Sequence, residues 1–135
     1  MATKPTAVVS GSFRRFFSKV KATILAFESF GVEVLSPKAS TVINPGNEFA
    51  ILESDETQDP ETLERNHLEA IRKADALYLC NPGGYLGNSS VLELGWAMAL
   101  GKRIFCEEIP MDATLKFCAG QVATPEQVAK KLLES

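Results

Sequence analysis

The stretch ALYLCNPGGYLGNSSVLELGWAMALGKRIFC, Ala76 to Cys106, reads as strand, glycine-rich loop, helix and strand. ALYLCN is a short apolar run without helical spacing, as expected for a strand buried on both faces. Asn81-Pro82-Gly83-Gly84 stops it, because proline removes a donor and glycine permits positive φ. Gly87-Asn88-Ser89-Ser90 then opens a helix and offers side-chain oxygens as N-caps. From Val91 to Leu100 that helix is apolar all round except at Glu93. An unpaired carboxylate in a buried helix costs several kcal/mol, so the sequence demands a partner for Glu93 or a use for it. Gly101-Lys102 ends the helix and Arg103 begins the next strand.

Outward from this unit the same alternation continues. Thr6 to Ser10 forms a first strand, followed at once by Gly11-Ser12-Phe13-Arg14. Phe17, Val20, Ile24, Leu25 and Phe27 give a helical apolar face that ends near Gly31, and Val32 to Leu35 forms a second strand. Asn44-Pro45-Gly46-Asn47 marks a turn, Phe49 to Leu52 fits a further short strand, and the acidic run Glu53 to Glu61 reads as a surface loop placed to cover a ligand. A helix from about Pro60 to Ala74 carries Leu63, His67, Ala70, Ile71 and Ala74 on one face. Glu107 to Val122 is irregular, and Thr124-Pro125-Glu126-Gln127 opens a last helix to Leu133 with a capping-box pattern.

Strands alternating with helices imply a parallel sheet with right-handed crossovers. The expectation is one α/β domain over residues 1–135: a small doubly wound, flavodoxin-like sheet of about five mostly parallel strands, with helices on both faces. In such a fold ligands bind beyond the carboxyl ends of the strands. The loops Gly11 to Arg14 and Gly83 to Ser90 both fall at that edge, and both offer N–H groups and hydroxyls suited to a phosphate.

The bulk numbers set bounds. At 135 residues, 45% hydrophobic, 23% charged and net charge −3, the chain has the composition of a globular protein and lacks the basic surface of a nucleic-acid polymer binder. No apolar run approaches the ~20 residues of a membrane span, and the N-terminus lacks a signal-peptide core. The three cysteines, Cys80, Cys106 and Cys118, show no CxxC spacing and read as reduced thiols of a cytoplasmic protein. One histidine and scattered cysteines give no metal-ligand spacing.

SSVLELGWAMALGK, Ser89 to Lys102, resembles the nucleoside 2-deoxyribosyltransferase-like superfamily, which includes deoxyribosyltransferases and 2′-deoxynucleoside 5′-phosphate N-hydrolases. VVSGSFRR and NHLEAIRKADALYL extend the resemblance over most of Ala7 to Cys106. It implies cleavage or transfer at the N-glycosidic bond of a nucleoside or nucleoside 5′-monophosphate, through a covalent ribosyl intermediate on Glu93 and without a cofactor. It also implies that Gly11, Ser12 and Arg14 hold the 5′-phosphate, with Ser89 and Ser90 as further candidates. Gly84, Tyr85 and Gly87 belong to the second loop, and Phe13 and Tyr85 are positioned to sandwich a base. Homodimers or larger homo-oligomers are implied as well.

The departures are specific. The family aspartate on the preceding helix corresponds to His67, which can either protonate a leaving base or orient Glu93. The strand-one tyrosine corresponds to Val8, and the phosphate-binding serine of a neighbouring subunit has no evident match between Glu107 and Val122. These losses leave open a non-catalytic nucleotide-binding or sensing module on the same scaffold. Pro82-Gly83-Gly84-Tyr85 is also similar to the Pro-Gly-Gly motif of phosphoribohydrolases that act on modified adenine nucleotides. Leu86, Asn88 and the longer spacing to Glu93 depart from that motif.

Overall fold

A computed structural model describes residues 3–39 and 51–134. The chain runs β1 (Thr6–Gly11), α1 (Phe13–Ser29), β2 (Glu33–Ser36), α2 (Pro60–Lys73), β3 (Ala76–Cys80), α3 (Asn88–Ala99), β4 (Arg103–Cys106), β5 (Gln121–Val122) and α4 (Pro125–Leu133). The strands form a five-stranded sheet in the order β2-β1-β3-β4-β5, and every pairing is parallel. This is the doubly wound α/β architecture expected from the sequence. The strand order reverses between β1 and β3, so ligand space opens where the loops after these two strands diverge.

Side-chain alternation along the strands feeds two cores. Ala7, Val9, Tyr78 and Phe105 pack with Val20, Ile24 and Phe27 of α1 and with Val128 and Leu132 of α4. Val8, Leu77 and Leu79 pack on the other face with Ile71 of α2 and with Leu94 and Ala97 of α3. The same alternation turns Ser10 toward α3. Val8 is completely buried in this second core. The Tyr78 hydroxyl is satisfied inside the protein by donating to the Ala123 carbonyl at 2.8 Å. Among the described residues no helix is long and apolar enough to cross a membrane.

Two expectations change. Of the strand expected at Phe49 to Leu52, Leu52 makes an isolated bridge, while Phe49 and Ala50, like the Asn44–Asn47 turn, lie outside the described residues. The fifth strand is β5, inside the stretch read as irregular. It pairs with Phe105 and Cys106 of β4, and Gly120 before it has φ +75, where a Cβ would sit 1.9 Å from the Ile104 carbonyl oxygen. Finally, α3 begins at Asn88 and is not enclosed. Ser90, Glu93, Leu94 and Ala97 are buried, whereas Leu92, Trp96 and Met98 are exposed.

Candidate active site

Two helix starts and one helix face converge beyond the ends of β1 and β3. Ser12 caps α1 by accepting from the Arg15 N–H at 3.3 Å, which fixes the first loop as a tight strand-to-helix turn. Gly87 is the N-cap of α3 and makes no side-chain cap bond, so the first-turn N–H groups of that helix remain available. Asp59 caps α2 by accepting from the Thr62 N–H at 3.1 Å, and Pro60 follows it. This sets Leu63, Glu64 and His67 on the face of α2 that looks toward α3. Together these elements enclose a cavity of about 660 Å³, in the range that holds small-molecule ligands.

At its floor Glu93 is 5% exposed. Glu93 Oε1 accepts from the Ser10 hydroxyl at 2.5 Å and lies 3.2 Å from His67 Nε2. The other His67 nitrogen, Nδ1, is 2.6 Å from Ser36 Oγ at the end of β2. Ser90 Oγ lies 3.0 Å from Ser10 Oγ. A hydroxyl has one proton, and since Ser10 gives its own to the carboxylate, Ser90 donates to Ser10. The partner that the sequence demanded for Glu93 is therefore His67, reinforced by Ser10.

The helix dipole contributes little to keeping Glu93 ionised. With α3 starting at Asn88, Glu93 lies in the second turn, beyond the first-turn range of that field. Burial pushes the Glu93 carboxyl up. The adjacent His67, with hydrogen bonds from His67, Glu64 and Ser10, outweighs burial and holds it below the ordinary carboxylate value. His67 is the mirror case: burial disfavours its charge, but Glu93 and then Glu64 raise its pKa overall. Both shifts favour the imidazolium–carboxylate form of the pair.

Glu64 was not anticipated. It sits one helical turn before His67 and lines the cavity. Burial first, then the hydrogen bond to Glu93 and its charge, push its pKa up to about 8, against smaller opposing effects of His67 and Ser89. Its signal in the sequence was the Glu64–His67 spacing of three, which puts both on one helical face. Ser10 and Ser36 carried no comparable signal; each is simply a serine near the end of a strand.

The remaining expected residues are distributed as follows. Gly11, Ser12, Phe13 and Arg14 line the cavity on one side, and Tyr85, Gly87, Ser89 and Ser90 on the other. Phe13 and Tyr85 thus face a common space, with the Arg15 guanidinium stacked 4.2 Å from the Tyr85 ring centre. Gly84 is not in the cavity wall: it is buried at φ +81, and a Cβ there would fall 2.6 Å from the Ile109 carbonyl oxygen. Leu52 and Asp55 close one side, so the acidic loop reaches the cavity.

No protein-family model matches the chain, and no curated protein matches it in sequence. Solved structures share its fold. A CMP N-glycosidase, BcmB, from Clostridium botulinum superposes with a TM-score of 0.54 at 16% identity, covering 96% of this chain and 99% of that one. A 2-deoxyribosyltransferase from Bacillus psychrosaccharolyticus gives 0.57 at 18% identity, covering 92% and 90%. A conserved protein from Enterococcus faecalis V583 gives 0.65 at 12% identity, covering 98% and 99%. The chain shares the fold of these three proteins over nearly its whole length.

Proposed function

We propose that this protein cleaves or transfers at the N-glycosidic bond of a nucleoside or nucleoside 5′-monophosphate. The observation that carries the reading is Glu93, a carboxylate kept ionised by His67 and Ser10 at the floor of a nucleotide-sized cavity. A Glu93 oxygen attacks the anomeric carbon as the C1′–N bond breaks, and the bond's electron pair leaves with the base, which takes up a proton. The transition state resembles an oxocarbenium ion, as in retaining glycosidases. Water or a second base then attacks C1′, the ester bond to Glu93 breaks, and the carboxylate is regenerated.

The loops after β1 and β3 support a 5′-phosphate on the substrate, since Ser12, Arg14 and Ser89 line the same cavity as Glu93. The N-glycosidase and the deoxyribosyltransferase that share the fold support the reaction class. The exposed apolar side of α3, with Leu92, Trp96 and Met98, supports assembly of copies of the chain.

Chromatography of the wild type and Glu93→Gln, each incubated with the eight common ribo- and deoxynucleoside monophosphates, tests the reading. Free base from at least one nucleotide, lost in the variant, is the expected result. A folded wild type that releases no base from any of them, or from the parent nucleosides, overturns it.

A further inference from the structure

Breaking an N-glycosidic bond requires a nucleophile and a proton for the departing base, and three titratable side chains meet at this site. His67 has both ring nitrogens engaged, Nδ1 at 2.6 Å from Ser36 Oγ and Nε2 at 3.2 Å from Glu93 Oε1. A ring held at both ends has no free N–H to give a base. Glu64 differs. It lines the cavity, and among the described residues its Oε2 is a buried side-chain oxygen without any donor. Two neighbouring carboxyls do not both ionise cheaply. Protonation resolves both problems: it removes the repulsion and leaves on the cavity wall a carboxylic acid whose one O–H can turn from the Glu93 carboxylate to a bound base.

We propose that Glu64 is the proton donor to the leaving base, and that His67, fixed by Ser36, is a positioning residue that keeps Glu93 ionised and aimed. The assignment rests on the N-glycosidic reading above. As the C1′–N bond breaks, the Glu64 O–H bond gives its proton to the base nitrogen and leaves a carboxylate. That carboxylate takes a proton from the water that attacks C1′, which restores the acid. The groups around Glu64 are Glu93 and Ser89 from α3 and His67 from α2, with Arg14 and Asp55 also on the cavity wall. Burial and the Glu93 charge hold Glu64 protonated at neutral pH, while His67 and Ser89 favour its ionised form, so it is an acid poised near the working pH.

The first test needs no turnover. Carboxyl ¹³C NMR titration of glutamate-labelled protein, assigned with Glu64→Gln, should show Glu64 protonated at pH 7 beside an ionised Glu93. Glu64 ionised at neutral pH overturns the proposal, whatever becomes of the N-glycosidic reading. The second test compares a natural nucleotide with p-nitrophenyl β-ribofuranoside 5′-phosphate, whose leaving group departs without a proton. Glu64→Gln should lose about 100-fold or more in kcat on the nucleotide and less than about 10-fold on the aryl substrate, with the alkaline limb of its pH profile gone. His67→Gln and Ser36→Ala should lower kcat on both substrates by the same factor and move the acid limb upward. A His67→Gln defect confined to the natural nucleotide would make His67 the acid and overturn the assignment.

Discussion

The protonated Glu64 carboxyl has a consequence for folding that can be measured without knowing the substrate. Its pKa rises from an ordinary 4.5 to about 8 in the folded protein. A raised folded pKa means stability that is fully present below pH 4.5 and is lost as pH rises through 8. At ~1.36 kcal/mol per unit the whole shift would correspond to roughly 5 kcal/mol. Glu64 is only half-buried, and solvent on its open side screens the interaction, so about 2 kcal/mol is the working figure. Glutamine at position 64 keeps a neutral amide in the same space and removes the titration. Urea denaturation of the wild type and Glu64→Gln at pH 5, 7 and 9 reads this directly. Between pH 5 and pH 9 the wild type should lose about 2 kcal/mol more than the variant. Parallel stability curves for the two proteins would refute a protonated Glu64.

Other outcomes follow from single contacts. Asn81 is fully buried, donates to the Glu108 carbonyl at 2.8 Å and accepts from the Glu107 and Glu108 N–H groups at 3.1 Å. Asn81→Ala should therefore lower stability by about 2–3 kcal/mol in urea melts. Gly84→Ala meets both a positive φ and the Ile109 carbonyl, and should cost about 1–3 kcal/mol. Gly95→Ala, inside α3 with open space where a Cβ would be added, should raise stability by about 1 kcal/mol. Arg14→Ala should raise KM for a nucleoside 5′-monophosphate about 10-fold, the scale of one lost hydrogen bond to a charged group, and leave KM for the parent nucleoside unchanged.

How far the sequence reached can be judged residue by residue. The β3–α3–β4 unit was legible because proline and glycine punctuate it and its strands are apolar apart from Arg103 at the start of β4. β5 was not, since Gln121–Val122 has two residues and both are exposed. Its strand character comes from pairing with β4, a tertiary fact. Glu93 stood out as a lone charge in an apolar helix, and His67 as the substituent of the expected aspartate. Choosing between orienting and protonating roles for His67 needed the positions of Ser36 and Glu64, which come from β2 and from the preceding turn of α2. Ser10 and Ser36 become meaningful only when parallel packing brings the ends of β1 and β2 against α3 and α2. Gly84 is the opposite case. Its loop reaches the cavity, but its φ and its approach to Ile109 tie it to the backbone.

The central claim is that Glu93 carries the sugar. Acid-quenched mass spectrometry of protein caught during turnover of a nucleotide it cleaves tests this most directly. The account predicts a ribosyl-phosphate or deoxyribosyl-phosphate adduct on the peptide containing Glu93, absent from Glu93→Gln. Base release that persists in Glu93→Gln, or an adduct located on any other residue, would contradict it.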